Sequence, residues 1–382
     1  MSVYLDYNAS APIDSRVLDV MINVYRNSIG NADSRTHHYG ENTREIVENA
    51  RRQVAQLLDI GSDEVFFTSG ATESCNIAIQ GLRDYALKNG KTHIITSSIE
   101  HKAVLETVKA LGAEGFETDI INPASSGRVN PEQIMGRIKP NTLLVSLMHV
   151  NNETGIIQPA KQIGDFCSQN NVFFHIDATQ SCGKLVEEIQ RTKYDMLSFS
   201  AHKMGGPQGI GVLVLRKKRY RLPPVKPVYY GGQQEHGIRP GTIPVALVAG
   251  CGKACELAMQ QYQDNMKKCQ QTKSIIMQLL HDSGLPFSIN GDPAYCIANT
   301  LNICIHGVSS EALMLATKGY CGVSNGSACT SKSYSPSYVL QAMGLPLEDI
   351  ESSIRISWGS SMNNDELIYS LNQMLLVAKE MM

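Results

Sequence analysis

The residues best able to do chemistry stand at the ends of apolar runs. In Asp195-Met-Leu-Ser-Phe-Ser-Ala-His202-Lys203-Met-Gly-Gly-Pro-Gln-Gly-Ile-Gly211, a strand pattern delivers a lysine, and Gly205, Gly206, Gly209 and Gly211 follow it. Glycines permit close backbone approach, and a lysine amine in such a place suits a covalent link to an aldehyde cofactor. An isolated His-Lys pair would read as surface residues before a turn; the flanking strand pattern and glycines argue against that. A second β pattern, Phe173-Phe-His-Ile-Asp177, ends in an aspartate. A carboxylate there can keep the ring nitrogen of a pyridoxal-type cofactor protonated, the condition for its acting as an electron sink. A helix N-cap aspartate fits the same segment.

Phe67-Thr-Ser-Gly-Ala-Thr-Glu-Ser74 leads from a strand into a helix through small residues. Free N–H groups, hydroxyls and the positive helix end there suit a phosphate. It is neither a Walker A loop nor G-x-G-x-x-G, which argues against a nucleotide, and a plain capped helix explains it as well. The stretch 324–337 holds six Ser, one Gly and one Pro around Cys329. It is expected to be an exposed, mobile loop, so its thiol should be accessible. An unperturbed thiol has a pKa of about 8.5, so a nucleophilic role needs local activation. An incidental surface cysteine is the competing explanation.

The elements that must position these residues follow from periodicity. Amphipathic spacing predicts a helix over Thr43 to Leu58, and apolar runs predict strands at His93–Thr96, Leu143–His149, Val172–Asp177, Met196–Ser200 and Gly211–Leu215. Helical patterns lie between several of them (Lys102–Leu111, Pro131–Ile138, Pro159–Gln169), which implies βαβ units and a largely parallel sheet. Ligands in such sheets bind beyond the strands' carboxyl ends. After residue 245 a long helical segment, Val245 to Leu280, leads to a second unit with strands at Thr300–Ile305 and Ile354–Trp358 and a helix at Ser310–Thr317.

Composition narrows the classes. The chain has 382 residues, 42% of them hydrophobic, and a net charge of −2 from 34 basic and 36 acidic residues. That excludes a disordered chain and argues against general nucleic-acid or anionic-membrane binding. No apolar run approaches the roughly 18 residues of a spanning helix, and the N-terminus lacks a signal or transit pattern, so a cytoplasmic protein is expected. The ten cysteines include no C-x-x-C pair, and most should be buried in a reducing compartment. The histidines show no metal-ligand spacing, so no metal is expected. Arg216-Lys-Lys-Arg-Tyr-Arg221 reads as a solvated turn after a strand, with docking of an acidic partner protein or of nucleic acid as the alternative.

These segments co-occur with Tyr4-Leu-Asp-Tyr7, Gly30-Asn-Ala-Asp-Ser-Arg-Thr-His37, Glu100-His-Lys102, His149-Val-Asn-Asn-Glu-Thr-Gly155, Arg239-Pro-Gly-Thr242, Gly326-Ser-Ala-Cys-Thr-Ser331 and Ile354-Arg-Ile-Ser357. Taken together, in this order and across nearly the whole chain, the sequence resembles a group I (NifS/IscS-like) cysteine desulfurase of the class V aminotransferase family. The resemblance implies an α/β, fold-type I pyridoxal-phosphate transferase. It has a large domain with a mainly parallel seven-stranded sheet flanked by helices, and a smaller α+β C-terminal domain. The boundaries expected are 1–15 for an N-terminal segment packing with the small domain, 16–250 for the cofactor domain, and 251–382 for the small domain, whose loop (about 322–337) carries the catalytic cysteine.

The same resemblance implies the roles. Lys203 would hold pyridoxal 5'-phosphate covalently and move the substrate Cα proton. Asp177 would pair the pyridinium nitrogen, Gln180 the phenolic oxygen, and His101 would stack on the ring and act as acid/base. Ala71, Thr72, Ser200 and His202 would hold the phosphate, and Thr242 would reach the phosphate of the other subunit of a homodimer. Asn152 and Arg355 would bind the carboxylate of L-cysteine. Arg355 lies between Ile354 and Ile356 in a strand pattern, so it faces away from them. Without the resemblance it would read as a surface strand arginine. Cys329 would take the sulfur as a persulfide, release L-alanine and pass sulfur to an acceptor protein. The acceptor would serve iron–sulfur cluster assembly, tRNA thiolation or DNA phosphorothioation. The family usually has Pro where this chain has Ala32, and this version of the segment is similar to desulfurases of DNA phosphorothioation systems. A selenocysteine lyase or a class V aminotransferase is the alternative activity; a non-catalytic scaffold for sulfur carriers is the alternative of another class.

Overall fold

The computed structural model describes residues 2–326 and 335–382. Strands run β1 Val3–Tyr4, β2 Val65–Thr68, β3 His93–Ser97, β4 Glu117–Ile121, β5 Thr142–Met148, β6 Phe173–Asp177, β7 Met196–Ser200, β8 Gly211–Leu215, β9 Phe287–Ile289, β10 Thr300–Ile305, β11 Cys321–Gly322 and β12 Ser353–Ser357. Helices run α1 Ser15–Asn27, α2 His38–Leu58, α3 Ala71–Gln80, α4 Arg83–Asn89, α5 Lys102–Ala113, α6 Pro131–Met135, α7 Ala160–Gln169, α8 Val186–Gln190, α9 Val245–Ser283, α10 Ser310–Thr317, α11 Tyr338–Ala342, α12 Leu347–Glu351 and α13 Asn364–Glu380.

Seven strands form one sheet in the order β2-β8-β7-β6-β5-β3-β4. It is parallel from β7 to β4, and β8 alone runs antiparallel to its two neighbours. Alternation along the strands separates two apolar layers. Val145, Phe174, Leu197 and Val212 face a core that includes α2 and α7, while Leu144, Met196 and Leu213 face a core with α3 and α5. A three-stranded antiparallel sheet, β12-β10-β9, has its own core, which takes in Val3, Leu5, Trp358 and the inner face of α13. Helix α9 serves both, with Val248 and Cys251 in the first core and Ile276 and Leu280 in the second.

Some expected boundaries moved. Helix α2 starts five residues before Thr43 because His37 caps it, its Nδ1 accepting the Gly40 N–H at 3.1 Å. Helix α6 ends at Met135 rather than Ile138, at Gly136. The edge strand β4 reads Glu-Thr-Asp-Ile-Ile, too polar and too half-exposed for an apolar run to announce it. The basic run is largely neutralised: Arg216 pairs with Glu64, Lys217 with Asp63, and Lys218 with the buried Asp195 at 2.6 Å. Its turn holds Arg219 and Tyr220 at positive φ.

One buried ion pair ties the segment before α9 to the sheet. Arg51 of α2 donates to both Glu235 oxygens at 2.7 and 2.8 Å, and Glu235 also accepts the Phe67 N–H at 2.8 Å. Both side chains are almost fully buried. Glu235→Ala would strip the buried guanidinium of its bidentate partner, leaving it the half-exposed Glu48 carboxylate at 3.2 Å and the Val65 carbonyl at 2.6 Å. It should cost about 3–5 kcal/mol, measured as a lowered urea midpoint at unchanged m-value.

Candidate active site

The carboxyl ends of β3, β5, β6 and β7 open onto a cavity of about 440 Å³. Lys203 stands in the short helical turn Ala201–Lys203 that follows β7, and its Nζ donates to the backbone oxygens of Asn8 (2.5 Å) and Ala9 (2.7 Å). The glycines after it act as the turn requires. Gly205 has φ +81°, and a Cβ on Gly211 would lie 2.5 Å from the Gly70 backbone. His202 faces Ser10 Oγ at 3.1 Å, and burial, then the adjacent Lys203, hold its pKa down to about 4, so its ring is neutral at pH 7.

Asp177 ends β6 on the same face as His175. Its Oδ1 accepts from the Thr179 N–H (3.0 Å) and hydroxyl (2.5 Å), so it caps a turn and lines the cavity at once. The cap is on a turn rather than on a helix, since the next helix begins only at Val186. Behind it, His175 bridges Ser146 (2.8 Å) and Ser198 (2.9 Å) across three strands. Burial pushes its pKa down to about 4. Since that lies below the ordinary value near 6.5, the unfolded chain takes up the proton first. Stability should then fall as pH drops from about 6.5 to 4, by roughly 3 kcal/mol from this group. Urea midpoints across that window check it, and the slope should flatten in His175→Gln.

Helix α3 begins at the cavity with no side-chain cap on Gly70, and Ala71 and Thr72 line the opening. Its first N–H groups lack intrahelical partners and carry the positive helix end. Ser200 and Gln180 line the same space, and Gln180 Nε2 donates to Asn8 O at 2.9 Å. His101 caps α5, its Nδ1 accepting the Ala103 N–H at 3.1 Å, and borders the cavity. Arg355 of β12 is only 2% exposed, which rules out a surface arginine. It donates to Asn152 O (2.9 Å) and Asp6 Oδ1 (2.5 Å).

The structure thus gathers Ala71, Thr72, His101, Asn152, Asp177, Gln180, Ser200, His202, Lys203 and Arg355 around one cavity. Thr242 is exposed and does not line it. Cys329 lies outside the described residues.

Several members of the site carried no clear signal in the sequence. Asn8 is buried, donates to Asn152 O (3.2 Å) and Thr300 Oγ1 (3.0 Å), and offers its carbonyl to both Lys203 and Gln180. Glu73 accepts from the Ser69 N–H and the Tyr229 hydroxyl and pairs with Arg239 at 3.1 Å, tying the Arg239–Thr242 segment to the start of α3. An acid in a helix's first turn was the only hint. Buried Glu153 accepts from Ser337 Oγ (2.5 Å), and the Tyr338 hydroxyl donates to Glu100 O (2.7 Å). Burial raises the Glu100 carboxyl to about 8.

These groups fit pyridoxal phosphate. The uncapped end of α3 suits a phosphate, and an amine and a carboxylate share the cavity with it. Asn152 Oδ1 and Arg355 Nε are buried there without a protein partner, as an arriving polar ligand requires.

Comparison with known proteins agrees with this geometry. Residues 3–369 match the family model of class-V aminotransferases. The cysteine desulfurase IscS of Vibrio vulnificus is 40% identical, over 100% of this chain and 94% of its own length. A solved NifS-like protein superposes with a TM-score of 0.91 at 33% identity, covering both chains completely. DndA from Streptomyces lividans does so with a TM-score of 0.81 at 40% identity, covering 91% of this chain and 97% of its own. The seven-stranded sheet is accordingly that of a fold-type I pyridoxal-phosphate enzyme, and the chain belongs to the class-V aminotransferase family, among its cysteine desulfurases.

Proposed function

We propose that this cavity removes sulfur from L-cysteine, giving L-alanine and a persulfide on Cys329 that an acceptor protein then consumes. Pyridoxal phosphate, when bound, supplies the electron sink for the Cα carbanion. Ala71 and Thr72 at the start of α3, with Ser200 and His202, hold its phosphate; a neutral His202 adds a hydrogen bond without repelling Lys203. Asp177 would pair with the ring nitrogen, its Oδ1 already held by Thr179, and Gln180 would bind the phenolic oxygen. Arg355, already oriented by Asn152 O and Asp6, binds the substrate carboxylate with Asn152.

Lys203 Nζ would hold the cofactor covalently and, when freed by substrate, would take the Cα proton. His101 serves as acid/base beside the thiols. The Cys329 thiolate attacks the substrate sulfur, the C–S bond breaks as the S–S bond forms, one proton completes the methyl group, and Lys203 returns the Cα proton to give alanine. Thr242, exposed and clear of this cavity, suits the resemblance's placement at a second subunit's phosphate in a homodimer. We read residues 16–250 and 251–382, with 1–15 packed on the latter, as the two working domains. The separate cores of the two sheets support that division, which falls within α9.

The observation that carries the reading is one cavity holding the lysine amine, the carboxylate of Asp177, the uncapped helix end and the buried guanidinium of Arg355. The experiment is to incubate cofactor-loaded protein with L-cysteine labelled in sulfur. Equal amounts of alanine and protein-bound sulfur support the proposal, and tracing the label onward names the acceptor. A colourless protein leaves the scaffold alternative, a coloured one that makes no alanine leaves the selenocysteine lyase or aminotransferase, and pyruvate without bound sulfur would overturn the persulfide step.

A further inference from the structure

We propose that Cys304, His306 and Asp349 form a binding site for one zinc-class divalent cation, with water as the fourth ligand. Spacing in the sequence gives no sign of it, because the ligands come from the end of β10, the residue just beyond it, and α12, 45 positions away. Cys304 Sγ lies 3.4 Å from His306 Nδ1 and 3.7 Å from Asp349 Oδ1, and those two atoms are 3.0 Å apart. Tetrahedral zinc with bonds of about 2.3 Å to sulfur and about 2.0–2.2 Å to nitrogen and oxygen has ligand–ligand edges of roughly 3.3–3.6 Å. The three atoms therefore outline one face of such a tetrahedron and need shifts of only a few tenths of an ångström.

The donor set points the same way. One sulfur, one imidazole and one carboxylate suit zinc; magnesium and calcium prefer oxygen alone. A path for entry is present. His306 and Asp349 are 42% and 28% exposed, and they border an open depression of about 660 Å³ rimmed by Glu311, Glu348 and Glu351, with no Lys or Arg in its lining. Such a rim concentrates cations. Outer contacts are in place as well: the Ser353 and Ser288 hydroxyls hydrogen-bond the Cys304 sulfur, and Asn290 donates to Ser353 Oγ at 2.8 Å.

Binding requires the thiol to give up its proton to solvent. The imidazole coordinates through Nδ1 with its proton on Nε2, and the His306–Asp349 hydrogen bond is replaced by two bonds to the metal. The ion takes the place of the thiol proton, so occupancy should release a proton and strengthen with rising pH. Cys304 pairs with Ser353 of β12, two residues before Arg355, so a bound ion would pin the strand pair that carries the carboxylate clamp.

The test uses cofactor-loaded, chelator-treated enzyme bearing Cys329→Ser, which removes the competing thiol. Titration with cobalt(II) should reach one equivalent and show thiolate charge transfer with the red absorption of tetrahedral cobalt, and zinc should displace it. His306→Ala and Asp349→Asn, both at half-exposed positions where folding is not in question, should weaken binding at least about tenfold. Zinc should raise the melting temperature of the parent but not of these variants. Cys304→Ala should lose the charge-transfer band. The proposal fails if cobalt gives only the pale spectrum of six-coordinate oxygen ligation, or if His306→Ala keeps the parent's spectrum and affinity. The cluster would then be an ordinary ion pair over a core thiol. Desulfurase turnover is not the readout, so failure here leaves the assignment of the main site untouched.

Discussion

Lys203→Ala should lower cysteine turnover by at least about 10⁴-fold, because one side chain supplies two separate functions. Positioned proton transfer alone is worth about 10²–10⁴-fold, and the covalent link to the cofactor adds to it. No second amine can take over: among the described residues lining the cavity, Lys203 is the sole lysine. Its loss also removes the donor to Asn8 O and Ala9 O, so a drop in melting temperature is expected alongside. The two effects separate cleanly. The variant's absorption should lose the band of the lysine-linked cofactor, and alanine formation should stay absent at temperatures where the variant is fully folded. Turnover within tenfold of the parent would remove Lys203 from the mechanism.

Cys329→Ser should leave cofactor absorption and cysteine binding intact while lowering alanine formation by at least about 10³-fold, within the range for deleting an enzyme nucleophile. The other thiols cannot substitute. Eight of the nine described cysteines are buried and Cys296 is mostly so. Burial raises Cys167 to about 12, Cys269 and Cys321 to about 11, and Cys75, Cys182 and Cys296 likewise above the ordinary thiol. A thiol held protonated and enclosed is neither nucleophile nor sulfur carrier. Mass spectrometry of the parent after one turnover should find the extra sulfur on the peptide containing Cys329. Sulfur on any other cysteine, or full turnover by the variant, would refute the assignment.

The sheet was readable because its strands are short apolar runs buried on both faces, and Met196–Ser200 and Gly211–Leu215 fall where the runs do. Strand β4 was not, because an edge strand need not be apolar. Asp177 and Lys203 stood out because a charged residue ending an apolar run is a local event. Arg355 was ambiguous. Alternation told which face it leaves, but not that Asp6 and Asn152 would be waiting there.

The chain's order of residues determined the family, the cofactor chemistry and the polar groups at the strand ends, since each motif rests on neighbours within about ten positions and the family on the order of those motifs along the chain. Tertiary structure alone decided the assembly. It brought Asn8 to Lys203 across 195 positions, closed Glu235 onto Arg51, set Ser337 against Glu153, and drew Cys304, His306 and Asp349 into one cluster. The reason is physical. A buried polar group must find a partner, and which partner lies within 3 Å depends on how the sheets and α9 pack, a property no local spacing records.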